Sequence, residues 1–213
     1  MDKPIMINPW LQIPASDYEG HMSSPKVAQQ SFLAQTFKEL LERHDSSTIA
    51  LLGCATGNGL EFVDKDATRR VTVVDINPEY LKILRQRYEG ILPGLEVVES
   101  DLETCTIEKQ AYSLVFAGLI FEYLDPKKVL PKISEGLCPG GVTVAVLQLP
   151  AVHLNKITET PYASIKKLES IMKLISPQDF KLMASEGGLK EIEGKRVTLK
   201  SGKPFYVGTY SKG

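Results

Sequence analysis

Apolar residues along the chain follow two alternating spacings, which predict β-strands separated by α-helices. Short apolar runs that end in small or acidic residues are typical of buried strands in a parallel sheet. Between these runs, apolar residues recur every three to four positions, as in helices that pack on a sheet. The five predicted strands are residues 48–53, 70–74, 95–99, 113–116 and 142–147. The predicted helices begin at Ser24–Pro25, at Gly57 or Asn58, at Asn77–Pro78, at Asp125–Pro126 (with a kink or break at Pro131), near residue 161 and at Ser176–Pro177.

The C-terminal part of the chain alternates polar and apolar residues on both sides of a Ser201-Gly202-Lys203 turn, which predicts a β-hairpin. The expected fold class is therefore α/β: a Rossmann-like, doubly wound, mostly parallel seven-stranded sheet with an antiparallel C-terminal hairpin strand. A chain of 213 residues is long enough for one domain with an insertion. We expect a single domain over residues 1–213, with an irregular segment at 1–23 and an insertion at 150–175.

Composition and charge exclude several classes of protein. The chain has 25 basic and 26 acidic residues and no Lys/Arg-rich block, so no nucleic-acid partner is expected. No apolar run approaches the roughly 20 residues that cross a bilayer, and the N-terminal sequence lacks the apolar core of a signal peptide. The three cysteines, Cys54, Cys105 and Cys138, lack CxxC spacing, which argues against a disulfide framework and a zinc site. We expect a cytoplasmic protein with reduced thiols.

The residues that follow the predicted strands indicate a ligand site. The first strand ends in the run Gly53–Gly59, where glycine permits left-handed backbone and close approach to a ligand. Asp75 ends the second strand and follows Gly53 by 22 residues, a spacing suited to a carboxylate that accepts hydrogen bonds from ribose hydroxyls. Asp101 follows the third strand, where it can meet the exocyclic amine of an adenine. Because the carboxyl ends of parallel strands share one edge, an adenosine-containing ligand satisfies all three features.

The spacing of the glycine-rich run excludes two common nucleotide loops. No Gly-Lys-Ser/Thr follows it, as a P-loop requires, and the third small position of a dinucleotide fingerprint falls on Asn58. The frame Gly53-x-Ala55-x-Gly57-x-Gly59 instead resembles motif I of the class I S-adenosylmethionine-dependent methyltransferases. Further motifs resemble the family in the same order: Asp75-Ile76, Ser100-Asp101-Leu102, Tyr112–Phe116, the Leu137–Gly141 turn and the terminal hairpin. The departures are Leu51 in place of an acidic residue, Ala55 in place of glycine and Ser113 in place of aspartate.

This resemblance implies S-adenosylmethionine as the cofactor and S-adenosylhomocysteine as the product. The cofactor-binding residues that it implies are Gly53, Cys54, Ala55, Thr56, Gly57, Asn58, Asp75, Ile76, Asp101, Leu102, Ala117 and Gly118. Metal-dependent catechol-type enzymes carry acidic ligands after strands four and five, where this chain has Gly118 and Gln148, so no metal is expected. Adenine-N6 nucleic-acid methyltransferases carry an Asn/Asp-Pro-Pro-aromatic motif after strand four, which Ala117–Ile120 does not match.

Candidate acceptor-side residues come from three segments around the predicted crevice. Glu122, which follows strand four, is a candidate general base or cation binder, with a solvated acid at a helix start as the alternative. Tyr18 and His21 are catalytic candidates in the N-terminal segment 1–23, interpreted as a lid; a surface or hydrogen-bonded histidine is the alternative for His21. The insertion at 150–175 is predicted to cover the acceptor pocket. The predicted substrate residues are Tyr123, Gln148, His153 and Tyr162.

The function expected from these features is transfer of a methyl group from S-adenosylmethionine to a small-molecule acceptor by in-line displacement. The protein would work as a monomer or a homodimer. Two alternatives stay open at this stage: a nicotinamide-dependent oxidoreductase, and a protein that binds S-adenosylmethionine without turnover, to which Leu51 and Ala55 lend weight.

Overall fold

The computed structural model describes residues 8–151 and 153–213 and shows one mixed sheet within them. Its strands are β1 Thr48–Leu52, β2 Arg70–Asp75, β3 Leu95–Glu99, β4 Tyr112–Gly118, β5 Leu137–Gln148, β6 Leu189–Thr198 and β7 Pro204–Lys212. They lie in the order β3-β2-β1-β4-β5-β7-β6, and β7 runs antiparallel to both its neighbours. The predicted α/β class, the parallel core and the terminal hairpin are confirmed.

Helices cover both faces of the sheet. They are α1 Ala15–Ser23, α2 Gln29–Arg43, α3 Pro78–Tyr88, α4 Pro126–Gly136 and α5 Pro177–Glu186, with 3-10 turns at Pro9–Gln12, Leu60–Phe62 and Ala163–Ser170. Apolar residues of α2 and α3, such as Phe37 and Leu84, fill one core layer, and those of α4 and α5, such as Leu130 and Phe180, fill the other. No helix within 8–151 and 153–213 is long and apolar enough to cross a membrane.

Three predicted helix starts are confirmed by their caps. The side chains of Asn77, Asp125 and Ser176 each accept a backbone N–H from the first turn of α3, α4 and α5. Each helix then has proline at its first position, where the missing N–H costs no hydrogen bond. The helix α4 continues through Pro131 to Gly136, so this proline does not split it.

The predicted helix start at Ser24–Pro25 is wrong, and the segment before it is more regular than expected. Ser24 closes a turn by accepting the N–H groups of Val27 and Ala28, each at 2.8 Å. Ala28 is left-handed, with φ of 51°, so α2 begins only at Gln29. Residues 15–23, predicted to be irregular, form α1. Residues 1–7 of the predicted lid lie outside the described residues.

Two other predicted helices are shorter or tighter than expected. The helix expected from Gly57 or Asn58 is a single 3-10 turn at Leu60–Phe62, because Gly57 and Gly59 have φ of 90° and 91°. The helix expected near 161–174 is the 3-10 segment Ala163–Ser170. The predicted turn at Pro139–Gly141 lies inside β5 as a bulge: Tyr112 pairs with Leu137, and the next pair joins Leu114 to Val142.

Strand order reverses between β1 and β4, which pair with each other in the sheet. From β1 the chain continues to β2 and β3 at one edge, and from β4 it continues to β5 and the hairpin at the other edge. The loops after these two strands therefore diverge and leave a crevice at their carboxyl ends, which is where open α/β sheets bind ligands.

Candidate active site

The loop after β1 has a left-handed backbone at alternate positions. Gly53, Ala55 and Gly57 have φ of 67°, 46° and 90°. The N–H groups of Gly53 and Cys54 both donate to the carbonyl of Val74, at 2.9 and 3.2 Å, which ties the loop to β2. Ala55 adopts an angle that costs a residue with a Cβ atom about 1–2 kcal/mol. The loop thus keeps the backbone path of a glycine at position 55 without the glycine.

Asp75, at the end of β2, holds this loop through a hydrogen bond to its backbone. Its Oδ2 accepts the N–H of Ala55 at 2.8 Å, and its Oδ1 accepts the N–H of Asn77 at 2.9 Å. Burial raises the pKa of this carboxyl, while the backbone donors oppose the shift. Each carboxylate oxygen keeps a further lone pair, so Asp75 can still accept hydrogen bonds from a ligand.

A cavity of about 920 Å³ opens above the carboxyl ends of the strands and includes Asp75 in its wall. Seven of the predicted cofactor residues line it: Gly53, Ala55, Asp75, Ile76, Asp101, Leu102 and Gly118. The structure therefore brings the ends of β1, β2 and β4 and the loop after β3 to one cavity, as the spacing of the motifs predicts.

The other five predicted cofactor residues do not line this cavity. Cys54 and Ala117 are buried in the two core layers, and burial raises the pKa of the Cys54 thiol. Thr56 donates to Glu19 at 2.6 Å, and Asn58 donates to the carbonyl of Gln30 at 2.9 Å. Gly57 lies against the ring of Tyr88 on α3. The contacts of Thr56, Gly57 and Asn58 fix the glycine-rich loop against α1, α2 and α3.

The described part of the N-terminal segment borders the cavity through Trp10, Tyr18 and Met22. Glu19 of α1 accepts from Arg87 of α3 at 2.6 Å and from the hydroxyl of Thr56 in the glycine-rich loop. The amide of Asn77 donates to the carbonyl of Trp10 at 2.9 Å. The Arg87 guanidinium holds the pKa of the Glu19 carboxyl below its ordinary value. These contacts fasten α1 and the turn before it to the two elements that flank Asp75.

Aromatic side chains form one wall of the cavity. The ring of Trp10 meets Tyr123 edge-on at 5.0 Å and Tyr18 at 6.1 Å, and Tyr18 meets Tyr80 at 5.3 Å. Burial raises the pKa of Tyr18 far above its ordinary value, so its phenol stays protonated at neutral pH. The hydroxyl of Tyr80 is buried and has no hydrogen-bond partner among the described residues. Tyr18, a catalytic candidate, and Tyr123, a substrate candidate, therefore both face the cavity.

Glu122 is the buried acid of the site. Only 2% of it is exposed, which excludes the solvated-acid reading. Its Oε1 accepts the backbone N–H of Gln148 at 2.5 Å, while its Oε2 is buried without a partner among residues 8–151 and 153–213. Burial raises the pKa of Glu122 to about 7. A carboxyl with this pKa at a residue that lines a cavity can take up or release a proton near neutral pH.

His21 faces a second, smaller cavity of about 360 Å³ rather than the first. Its Nδ1 lies 2.9 Å from the hydroxyl of Thr160, and burial lowers its pKa to about 4. Gln148 lines both cavities. His153 is exposed and lines neither. Tyr162 packs against Gly20 of α1 and joins the insertion to the lid.

Several cavity residues carry no signal in the sequence pattern that would have found them. Trp10, Gln29, Tyr80 and Met172 line the larger cavity, and Lys203 lines the smaller one. Trp10 is the single tryptophan of the chain, and that rarity is the one hint available. No group of three or more His, Cys, Asp or Glu side chains that could hold a metal ion occurs in the described part of the chain.

Comparisons with known proteins agree with this geometry. A family model described as a methyltransferase domain matches residues 49–141, from β1 to the bulge of β5. A search of curated proteins finds no match.

Solved structures share the fold over most of the chain. An S-adenosylmethionine-dependent methyltransferase from Leishmania major is similar with a TM-score of 0.72 and 14% identity, over 95% of this chain and 80% of that one. One from Mesorhizobium loti has a TM-score of 0.67 and 13% identity, over 83% and 95%. The CcbJ methyltransferase from Streptomyces caelestis has a TM-score of 0.67 and 16% identity, over 94% and 98%. Residues 49–141 therefore match a methyltransferase domain, and the described chain has the fold of S-adenosylmethionine-dependent methyltransferases.

Proposed function

We propose that the protein transfers the methyl group of S-adenosylmethionine to a small-molecule acceptor by in-line displacement, with Glu122 as the proton acceptor. The observation that carries this proposal is the large cavity, which has both Asp75 and Glu122 among its lining residues. One cavity can therefore hold a cofactor and an acceptor side by side.

The residues of the cavity suit the cofactor. Asp75 and Asp101 are acceptors for ribose and adenine donors, and the left-handed backbone at Gly53 and Ala55 brings the main chain close to the ligand. The unpartnered hydroxyl of Tyr80 is a further polar group without a protein partner. When bound, S-adenosylmethionine supplies a methyl group activated by a sulfonium.

The enclosure of the cavity supports a small acceptor. Ile157, Ile165, Leu168 and Met172 of the insertion form an apolar cluster with Ile13, and Trp10, Tyr18 and Tyr123 pack against it. We assign this layer, together with α1, as the cover of the acceptor pocket. A roof made of the chain's own lid and insertion leaves room for a molecule of limited size and excludes water from the reacting groups.

Glu122 supplies the proton chemistry in this proposal. A carboxylate with pKa of about 7 is about half ionised at neutral pH and can accept a proton from an acceptor N–H or O–H. Gln148 orients it, because its backbone N–H holds Oε1 and leaves Oε2 without a partner among the described residues. Tyr18 and Tyr123 stay protonated and serve as walls and donors rather than bases.

Calorimetric titration with S-adenosylhomocysteine and with NAD tests the cofactor, and a radiolabelled methyl-transfer assay on a panel of small amines, acids, thiols and phenols tests the acceptor. We expect binding of S-adenosylhomocysteine alone, and transfer to at least one panel member that falls at least tenfold in Glu122→Gln. Transfer to RNA or protein but to no small molecule contradicts the proposal.

Two further assignments belong to this proposal. All three cysteines are free thiols, as a reducing compartment keeps them, which supports a cytoplasmic protein. We also expect a monomer or a homodimer, which size-exclusion chromatography with light scattering distinguishes. A stable complex with a different chain contradicts the second assignment.

A further inference from the structure

The smaller cavity adjoins the acceptor side of the larger one and carries the opposite charge. The two share Trp10, Tyr18, Tyr123, Gln148 and Met172 in their walls. Glu122 is a lining residue of the larger cavity, and Lys203 is a lining residue of the smaller one. A ligand that extends across the shared wall therefore meets the carboxyl group of Glu122 at one end and the ammonium group of Lys203 at the other.

Lys203 is a buried cation, and no carboxylate of the described residues forms an ion pair with it. Only 4% of the residue is exposed, and its Nζ donates to the carbonyl of Lys156 at 3.0 Å. No carboxylate lies within 4.0 Å of Nζ among residues 8–151 and 153–213. Burial alone lowers its pKa to about 8. A buried ammonium group with two unused N–H donors lowers the stability of the fold unless an anion accepts hydrogen bonds from it.

The two charged groups are joined through one residue. The side-chain amide of Gln148 donates to the same Lys156 carbonyl that Lys203 contacts, at 2.8 Å. The backbone N–H of Gln148 donates to Glu122. Gln148 therefore links the position of the Glu122 carboxyl to that of the Lys203 ammonium group.

The neighbouring groups favour an amine at the Glu122 end and a carboxylate at the Lys203 end. Trp10 and Tyr123 meet edge-on beside Glu122, and aromatic faces with a carboxylate attract an ammonium group. In the smaller cavity, His21 is neutral above pH 4 and does not compete with Lys203 for the anion. The Nζ of Lys156 donates to the carbonyl of Met172.

We propose that the smaller cavity binds the carboxylate of an amino-acid-type acceptor through Lys203, so that the amine of the same molecule lies at Glu122 and receives the methyl group. This inference rests on the proposed function. The acceptor ammonium passes one proton to Glu122, and the amine lone pair forms the N–C bond to the methyl carbon. The C–S bond breaks with its electron pair going to sulfur, and Glu122 then releases the proton to solvent.

The test compares amino acids with their carboxamides, which have the same shape without the negative charge. Calorimetry in the presence of saturating S-adenosylhomocysteine measures binding of each pair to the wild type, to Lys203→Met and to Lys200→Met. Lys200 is exposed and lies in the same turn, so it is the matched control. Methyl transfer to the same compounds is measured in parallel with S-adenosylmethionine.

We expect at least one amino acid to bind the wild type about ten- to a hundredfold more tightly than its carboxamide, the range for a hydrogen bond to a charged group. Lys203→Met abolishes this preference and Lys200→Met keeps it. Equal binding of acid and amide by the wild type, a preference that survives in Lys203→Met, or no binding by any amino acid overturns the inference. The wild-type comparison decides the matter even where Lys203→Met does not fold.

The proposed function can fail separately. Lys203-dependent binding of amino acids without methyl transfer refutes the function and keeps the subsite. Methyl transfer to amines or phenols with no carboxylate preference refutes the subsite and keeps the function.

Discussion

Replacing Glu122 by glutamine is expected to raise the stability of the protein at alkaline pH while it lowers activity. Glutamine has the same shape, and its Oε1 can accept the N–H of Gln148 as the carboxylate does. Its amide group then occupies the place of Oε2, which has no protein partner within the described residues. The variant thus removes a buried charge without removing a contact.

The magnitude follows from the pKa of Glu122, which burial raises from 4.5 to about 7. The native state holds this proton more tightly than the unfolded chain does. The stability that the tighter proton binding gives to the native state is therefore complete below pH 4.5 and is lost as the pH rises through 7. A shift of this size corresponds to a penalty of about 3 kcal/mol at about pH 8.5 and of less than about 1 kcal/mol at about pH 5. Glu122→Gln does not bear this penalty.

Urea unfolding of the wild type and of Glu122→Gln at these two pH values measures the difference. We expect the variant to gain about 2–3 kcal/mol over the wild type at the higher pH and little at the lower one. Glu169→Gln removes the same charge from an exposed position and is expected to show no such dependence. An equal stability difference at both pH values would show that Glu122 is not the buried, near-neutral acid on which the proposed chemistry depends.

Three further predictions concern the cofactor loop and its lid. Asp75→Ala should weaken S-adenosylhomocysteine by about 1.5–3 kcal/mol in calorimetry, and unchanged affinity in a folded variant would remove Asp75 from the site. Glu19→Gln breaks the ion pair with Arg87 and should cost less than about 1 kcal/mol of stability. We also expect it to speed the dissociation of S-adenosylhomocysteine in stopped-flow measurements. An unchanged dissociation rate contradicts the lid assignment. Gly57→Ala should destabilise the protein by at least about 1–2 kcal/mol in thermal unfolding, because φ is 90° and the new Cβ atom would lie 2.7 Å from Tyr88. Gly90→Ala shares the left-handed angle but meets no atom within 4 Å, so an equal loss in both variants argues against the contact with Tyr88.

The sheet and the cavity residues at the carboxyl ends of its strands could be predicted because both depend on short-range signals. A strand buried on both faces must be apolar along its length, and β1, β4 and β5 are buried almost throughout. Asp75 could be assigned to the cavity from its position alone, because a residue that follows a parallel strand lies at the carboxyl edge of the sheet. These inferences need no knowledge of distant contacts.

The helical structure of residues 15–23 could not be predicted, since distant contacts decide it. The helix α1 buries only His21 and Met22 and lacks an apolar stripe. It is held by Glu19 on Arg87 and by Asp17, which accepts from the hydroxyl of Ser164 at 2.5 Å, and these partners lie 68 and 147 residues away in the sequence. The same reason applies to Lys203, whose burial depends on the carbonyl of Lys156 across the insertion.

The departures from the family motifs show that the backbone, rather than residue identity, defines the cofactor loop. Leu51 is 4% exposed and packs in the core layer under α2 and α3, so this position has a structural role that an acid could not fill. Ser113 exchanges hydrogen bonds with Thr48 and thereby joins β4 to β1. Ala55 keeps the left-handed angle because Asp75 accepts its N–H and Gly53 is tied to Val74. Since strained residues persist only where their surroundings over-determine them, the strain at Ala55 is itself a sign that the loop is built to hold a ligand.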